Sequence, residues 1–342
     1  MSLKNLSAKI KIPKLFEKKL KNKRIKQIYK KFEKSLDINE NFAVAVSGGP
    51  DSLALAFLAK IYSINHNLKA KFFIVDHKLR PESTKEAKFV KEILKKKNIN
   101  SDILTWNGKK PYKNIQSFAR INRFKLIYSQ CNKFKINNIL LGHHQDDLFE
   151  NFFIRMFRGS GLKGLISLDK KAEVVNKNLF RPLLNQKKED LIFISKNIFD
   201  VFLQDPSNKD EKFLRIKIRN LITELKKDGL DKSKFLKTIN NLKLSNEVVN
   251  FYVNKNLKKN TFFSHKKNQI ICNKVFFQQP YEVIFRSLSE TIKLIGKRYY
   301  PVRGKKLDKI INDIEQNHSF RTTLGGCLIK KVNQTVIIDK EY

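Results

Sequence analysis

From Asn41 onward, short apolar runs alternate with longer stretches of helical periodicity. The runs Phe42–Val46, Phe72–Val75, Ile103–Trp106 and Ile139–Leu141 are continuously hydrophobic, which predicts strands buried on both faces. Helices are expected over Asp51–Ile61, Ser83–Lys97, Gln116–Cys131 and Gln145–Phe157, the last with Phe149, Phe152, Phe153, Met156 and Phe157 on its buried side. Such β-α repetition predicts an α/β fold, a doubly wound, Rossmann-like parallel sheet with right-handed crossovers. Past Arg181 the pattern turns helical, over Lys187–Phe199, Lys209–Leu225 and Lys234–Leu257. A smaller α+β segment follows, with strands at Gln269–Cys272 and Thr335–Asp339 and a helix over Tyr281–Ile295. In front stands a lysine-dense lead-in with Ile25, Ile28, Phe32 and Leu36 at helical spacing, so the chain divides into 1–38, 39–205, 206–258 and 259–342.

In open α/β sheets ligands gather beyond the carboxyl ends of the strands. Three of these ends carry polar residues: Ser47-Gly48-Gly49, Asp76-His77 and Gly142-His143-His144. Glycine is scarce, 12 in 342 residues, so its clustering at Gly48-Gly49 is informative. Ser47-Gly48-Gly49-Pro50-Asp51-Ser52 turns a strand into a helix, where backbone N–H groups and the helix dipole suit a phosphate chain. It is neither a GxxxxGK[ST] nor a GxGxxG loop. A plain capped turn has a similar outline, but two glycines, a proline and an acid exceed what a turn needs.

The second cluster lies at Gly142–Asn151. On a helix starting near Gln145, Asp146 and Glu150 stand at i,i+4 and Asp147 and Glu150 at i,i+3. Oxygen ligands suit Mg²⁺, and carboxylates can receive an ammonium group and take its proton. The His143-His144 pair keeps a Zn or Fe hydrolase site as the rival reading. Arg120 and Arg123 share a helix face, Arg158 and Lys163 flank a Gly-spaced basic loop open to a polyanion, and Arg215 and Arg219 are spaced to clamp phosphates.

Charge narrows the partners. The 71 basic residues, 58 Lys and 13 Arg, against 32 Asp+Glu leave a net charge of +39. Coding bias contributes to the lysine excess, yet the surplus still attracts polyanions, nucleic acid first and an anionic membrane surface second. No apolar run of 18 residues exists and lysines interrupt the N-terminus, so neither a membrane span nor a secretory leader is expected. Cys131, Cys272 and Cys327 are far apart and offer no CxxC or disulfide framework, which fits a reducing, cytoplasmic setting with Cys327 in a packing role.

The segment SGGPDS resembles the pyrophosphate loop of the PP-loop ATP pyrophosphatase superfamily. Five other stretches are similar to one branch of it, the tRNA(Ile)-lysidine synthetases: VDHKLRPES at 75–83, AR-x-x-R at 119–123, HHQDDLFE at 143–150, RMFRGSGLKGL at 155–165, and RPLL at 181–184. Asp205-Pro206-Ser207-Asn208 also matches, and Arg215 and Arg219 fall where that branch shows RNRIR, with Ile216 and Lys217 as departures; Phe124 and Asn151 replace the usual Tyr and Thr. The likeness runs from about 42 to 220 and thins beyond, where Tyr299–Arg303 and Thr323–Cys327 resemble C-terminal elements of some members.

This resemblance implies ATP and Mg²⁺ as cofactors, and tRNA(Ile) with a CAU anticodon and free L-lysine as partners. The tRNA would be adenylated at the wobble cytidine and then ligated to lysine, with release of pyrophosphate and AMP. Ser47, Gly48, Gly49, Pro50, Asp51 and Ser52 would hold phosphates, with His77 at the nucleotide's border, and Asp51 and Asp147 would hold Mg²⁺. Asp146, Asp147 and Glu150 would bind lysine's amine and one would deprotonate it, while Arg120 offsets charge. Arg158, Lys163, Arg215 and Arg219 would contact tRNA. By the same likeness, 39–205 is the ATP-binding catalytic domain, and 206–258 and 259–342 are tRNA-contacting regions. Rival functions are another PP-loop enzyme, such as a tRNA thiolase or an amidotransferase-type synthetase, and a non-enzymatic basic RNA-binding protein. Oligomeric state stays open, a homodimer among the options.

Overall fold

Along β1 (Phe42–Val46), Phe42, Val44 and Val46 enter one hydrophobic core while Ala43 and Ala45 pack into another. The strand β2 (Ala70–Asp76) repeats the division, with Phe72 and Ile74 on one side and Phe73 and Val75 on the other. Continuous hydrophobicity therefore does mark strands covered on both faces. With β3 (Ser101–Thr105), β4 (Asn138–Leu140), β5 (Lys171–Val174) and β6 (Lys177–Phe180) they form a six-stranded sheet in the order β3-β2-β1-β4-β6-β5. All neighbours are parallel except the β5/β6 edge hairpin. Strand order reverses between β1 and β4, and a crevice at such a switch point is where this architecture binds ligands.

This computed structural model describes residues 14–109, 111, 115–174, 176–203, 214–264, 268–297 and 302–341. The motif residues 205–208 and Tyr299, Tyr300 and Pro301 lie outside them.

Helices α1 (Lys14–Leu20) and α2 (Lys23–Lys34) make up the lead-in, and Phe16, Ile25, Ile28, Phe32 and Leu36 are all in the core. The helix α3 (Pro50–Asn65) is buried along nearly its whole length, so the loop that starts it is anchored by core packing. Then come α4 (Ser83–Lys95), α5 (Ile115–Lys133), α6 (Gln145–Met156), the single turn α7 (Leu162–Leu165), α8 (Lys188–Phe199) and α9 (Leu214–Lys227). Within the described residues the expected elements recur with ends shifted by a few residues, while 209–213, the expected start of α9, lie outside them. Two details differ. Met156 and Phe157, expected inside, are exposed, because α6 ends there and the chain turns at Gly159, whose φ is +64°. Ser83, the first residue of α4, caps nothing and donates its hydroxyl to Asp76 Oδ1 at 2.8 Å.

Contacts divide the chain into two units, 1–230 and 231–342. The second contains α10 (Lys232–Asn260), β7 (Thr261–Ser264), β8 (Gln269–Cys272), α11 (Tyr281–Gly296), α12 (Gly304–Gln316), β9 (Ser319–Leu324), β10 (Cys327–Val332) and β11 (Thr335–Lys340). Its antiparallel sheet, β7-β8-β11-β10-β9, carries a core that includes Ile284, Leu288, Ile292, Ile311 and Cys327. Cys327 packs there with its thiol donating to the Ile292 carbonyl. Among the described residues no helix is long and apolar enough to cross a membrane.

Candidate active site

The Gly-rich loop leaves β1 and its last residues start α3. Gly48 has φ +87°, and a Cβ there would lie 2.4 Å from Val90 Cγ2 and 2.8 Å from Leu203 Cδ1, so backbone and packing both demand glycine. Gly49 differs. Its φ is −73°, which any residue adopts, and the nearest atom to a Cβ would be Ser47 Oγ at 4.0 Å. No described residue excludes a side chain at Gly49, whereas a phosphate chain lying against the loop would.

Ser52 braces this loop from within. Its hydroxyl accepts from the Ser47 N–H (3.1 Å) and the Ser47 hydroxyl (3.2 Å), and donates to the Gly49 carbonyl at 3.0 Å. Ser47 is exposed and Ser52 buried, so of the two serines Ser47 faces outward. On the β4 side, a Cβ at Gly142 would stand 3.4 Å from Asp51 C and from Ser52 N and Cα, which brings the second motif tight against the first.

His144 joins the two motifs. It caps α6, its Nδ1 accepting from the Asp146 N–H at 3.2 Å, which leaves the ring proton on Nε2. That nitrogen lies 3.7 Å from Asp51 Oδ2 and 3.6 Å from Asp147 Oδ2. Asp51 Oδ2 also accepts from Lys188 Nζ at 2.5 Å, a partner the sequence reading did not find, while Asp51 Oδ1 is buried without a hydrogen-bond partner among the described residues. Asp147 Oδ2 accepts from the His144 N–H at 2.9 Å and Oδ1 pairs with Arg215. Burial would raise Asp147, but His144 and Arg215 hold its carboxyl below the ordinary range.

Arg215 and Arg219, expected on tRNA phosphates, sit on the acids of α6. Arg215 bridges Asp147 and Glu150, and Arg219 Nε donates to Glu150 Oε1 at 2.6 Å. Glu150 is 2% exposed beneath them. Of the two carboxylates expected at Mg²⁺, Asp51 therefore presents a free oxygen and Asp147 has both engaged. Among the described residues no three His, Cys, Asp or Glu side chains converge as a metal cage. A Zn or Fe centre needs such a set, whereas Mg²⁺ is commonly held by one or two carboxylates with substrate phosphates.

Both motifs line one cleft of about 1320 Å³, to which Ser47, Gly49, Asp51, Ser52, Gly142 and Asp147 contribute. His77, Arg120, Arg123 and Arg158 line it too, while Asp146, Glu150 and Lys163 are not among the described lining residues. Burial, with the Arg123 guanidinium beside it, pushes the His77 pKa down to about 4. Burial, and then the neighbouring Arg120, lower Arg123. Buried Arg181, lowered by burial and Arg120, donates Nη1 to the Asp169 carbonyl at 2.7 Å. His143 is driven well below its usual value by burial, against the pull of Asp147. The cleft is thus neutral or acidic along α6 and cationic along α5.

The thiols take no part. All three are buried, and burial raises Cys131 to about 11 and Cys272 to about 12.

A PP-loop domain family matches residues 18–225. The tRNA(Ile)-lysidine synthase of Orientia tsutsugamushi (strain Boryong) is 34% identical over 319 residues, covering 89% of this chain and 70% of the relative. That of Wolbachia pipientis wMel is 34% identical over 308 residues, covering 89% and 71%. Among solved structures, the U34-tRNA thiolase NcsA from Methanococcus maripaludis superimposes with a TM-score of 0.55 at 18% identity, over 64% of this chain and 78% of its own, which is a likeness of fold. A glycine-rich loop with space for phosphates, set against a capped acidic helix at the switch point, accompanies these similarities, and the chain belongs to the tRNA(Ile)-lysidine synthase family of ATP-using PP-loop enzymes.

Proposed function

We propose that the cleft ligates free lysine to C2 of the wobble cytidine of tRNA(Ile) bearing a CAU anticodon, through an adenylated tRNA, with release of pyrophosphate and AMP. The observation that carries this reading is the meeting of Asp51 and Asp147 at one His144 nitrogen, which sets the phosphate loop beside the acid helix.

Amides around Gly49 and the start of α3 would receive the departing pyrophosphate, with the Ser47 hydroxyl beside them. Mg²⁺, held by Asp51 Oδ1 and phosphate oxygens, would neutralise charge on the triphosphate. Arg120, which has no carboxylate partner among the described residues, would offset charge that develops as the α-phosphate is attacked. Free lysine, with an amine pKa of about 10.4, arrives protonated. Of the acids at 146–150, Asp147 lines the cleft; it would attract the ammonium in place of its Arg215 partner and take the proton before the ε-nitrogen attacks C2.

The cleft's volume exceeds the ~300–1,000 Å³ of ordinary small-ligand sites, as two nucleotides require. Buried unreactive thiols and the absence of CxxC leave a sulfur-transfer reading without support. A cytoplasmic location fits these substrates. Replacing Asp51→Asn tests the assignment: pyrophosphate release is abolished while filter binding of tRNA at matched salt is retained. Collapse of tRNA affinity in that variant contradicts it.

A further inference from the structure

Met156 and Phe157 end helix α6 at the rim of the cleft with 44% and 59% of their surfaces exposed. The exposure is built into ordered backbone. The Phe157 N–H donates to the Phe153 carbonyl (2.9 Å), Gly159 N–H to Met156 (2.9 Å) and Ser160 N–H to Arg155 (3.0 Å). The Phe153 ring, 6.4 Å away by centroids, backs the Phe157 ring. Ile154 and Arg158, on either side of the pair, line the cleft.

We propose that Phe157 is a stacking platform for an unpaired RNA base next to the nucleotide that enters the cleft, with Arg158 and the backbone at Gly161 meeting the adjoining phosphate. The proposal rests on the reading that RNA enters here. Three observations favour RNA over a protein partner.

The first is the identity of the cations. Six of the chain's 13 arginines line the cleft, Arg80, Arg120, Arg123, Arg158, Arg215 and Arg219, and among the described lining residues there is none of its 58 lysines. Where lysine supplies most of the solvated cations, a lining of arginine alone marks a site that uses a planar fork or a flat cation on a base. Arg80 pairs with Glu86, and Arg215 and Arg219 pair with the α6 acids; Arg158 has no such partner among the described residues.

The second is Gly161. Its φ is −68°, open to any residue, and a Cβ there would meet none of the described residues within 4 Å, so neither conformation nor packing among them explains glycine. Close approach of a ligand's backbone does.

The third is charge. A chain with a formal net charge of +39, with Arg158 beside the ring, repels a second copy and favours a polyanion. Aromatic rings that carry unstacked bases are the usual means of holding a single-stranded loop.

The test uses the full chain and an anticodon stem-loop RNA with 2-aminopurine beside the target cytidine. Phe157→Ala and Phe157→Leu should weaken binding by about 5- to 100-fold and abolish the fluorescence quench, while Phe157→Trp restores both. Leucine keeps the apolar surface, so only loss of the ring's π face accounts for that pattern. Gly161→Ala should weaken RNA binding with an unchanged melting temperature, and ATP affinity should stay within about twofold in every variant. Wild-type binding and quench in Phe157→Leu overturn the proposal, as does a change of oligomeric state with RNA affinity intact, which assigns the rim to a second copy. If wild type quenches the probe but never transfers lysine, the catalytic reading fails and this one stands.

Discussion

Lys188, at the start of α8, donates to Asp51 Oδ2 at 2.5 Å and so ties the phosphate loop to a helix 137 positions later in the chain. The bond fixes the carboxylate with Oδ1 left over, and α8 is itself pinned to the loop helix by Ser195 Oγ donating to the Pro50 carbonyl at 2.5 Å.

Lys188→Met should lower the rate of pyrophosphate release about tenfold, equivalent to ~1.4 kcal/mol, because a charge-assisted bond to a partly exposed carboxylate is lost. Lys188→Arg should recover part of the rate. Single-turnover assays at saturating ATP check this, and an unchanged rate in the methionine variant removes Lys188 from the site.

The neighbouring glycines should separate stability from binding. Gly48→Ala forces a Cβ onto Val90 and Leu203 at positive φ and should cost about 2–4 kcal/mol in urea unfolding. Gly49→Ala should leave stability within ~0.5 kcal/mol and remove ATP binding measured by equilibrium dialysis. Equal stability losses in both would contradict a ligand-imposed glycine at 49.

Acid should loosen the first unit through His77. Burial and Arg123 hold its folded pKa at about 4 against 6.5 for the free side chain. Between those values the unfolded chain binds more protons, so stability rises with pH through the window and is lost as pH falls from 6.5 toward 4. By pH 5 the loss should be about 1 kcal/mol, because solvent at the partly exposed ring screens part of the effect. His77→Gln should shrink the difference between urea midpoints at pH 7 and pH 5; an identical difference would acquit His77.

Much of this was legible in the chain. The four central strands and the helices between them follow from continuous apolar runs, and both chemical motifs sit at the strand ends where the topology brings them together. The β5/β6 hairpin was not legible, because its polar residues are satisfied sideways: Asn178 Nδ2 donates to Asn138 Oδ1 at 3.1 Å and Lys177 Nζ to the Ile136 carbonyl at 2.8 Å. The strands β9 and β10 hide among lysines and threonines of a half-exposed sheet.

At the site, spacing alone did not say which anion each arginine meets. Arg215 and Arg219 at i,i+4 face Asp147 and Glu150 at i,i+3 on the adjacent helix, a complementarity of two helix faces that the sequence contains but does not pair. Lys188 gave no signal, lying in a lysine-rich stretch like many others. Phe157 followed the apolar period of α6, and only the helix end at Met156 turns it outward.

Ligation itself is measured by incubating the full chain with ATP, Mg²⁺, isotopically labelled lysine and tRNA(Ile) bearing CAU. Label covalently retained in the RNA, with one AMP and one pyrophosphate formed per lysine, is the expected result. Pyrophosphate released without label in the RNA, or no turnover at all, contradicts lysine ligation in this cleft.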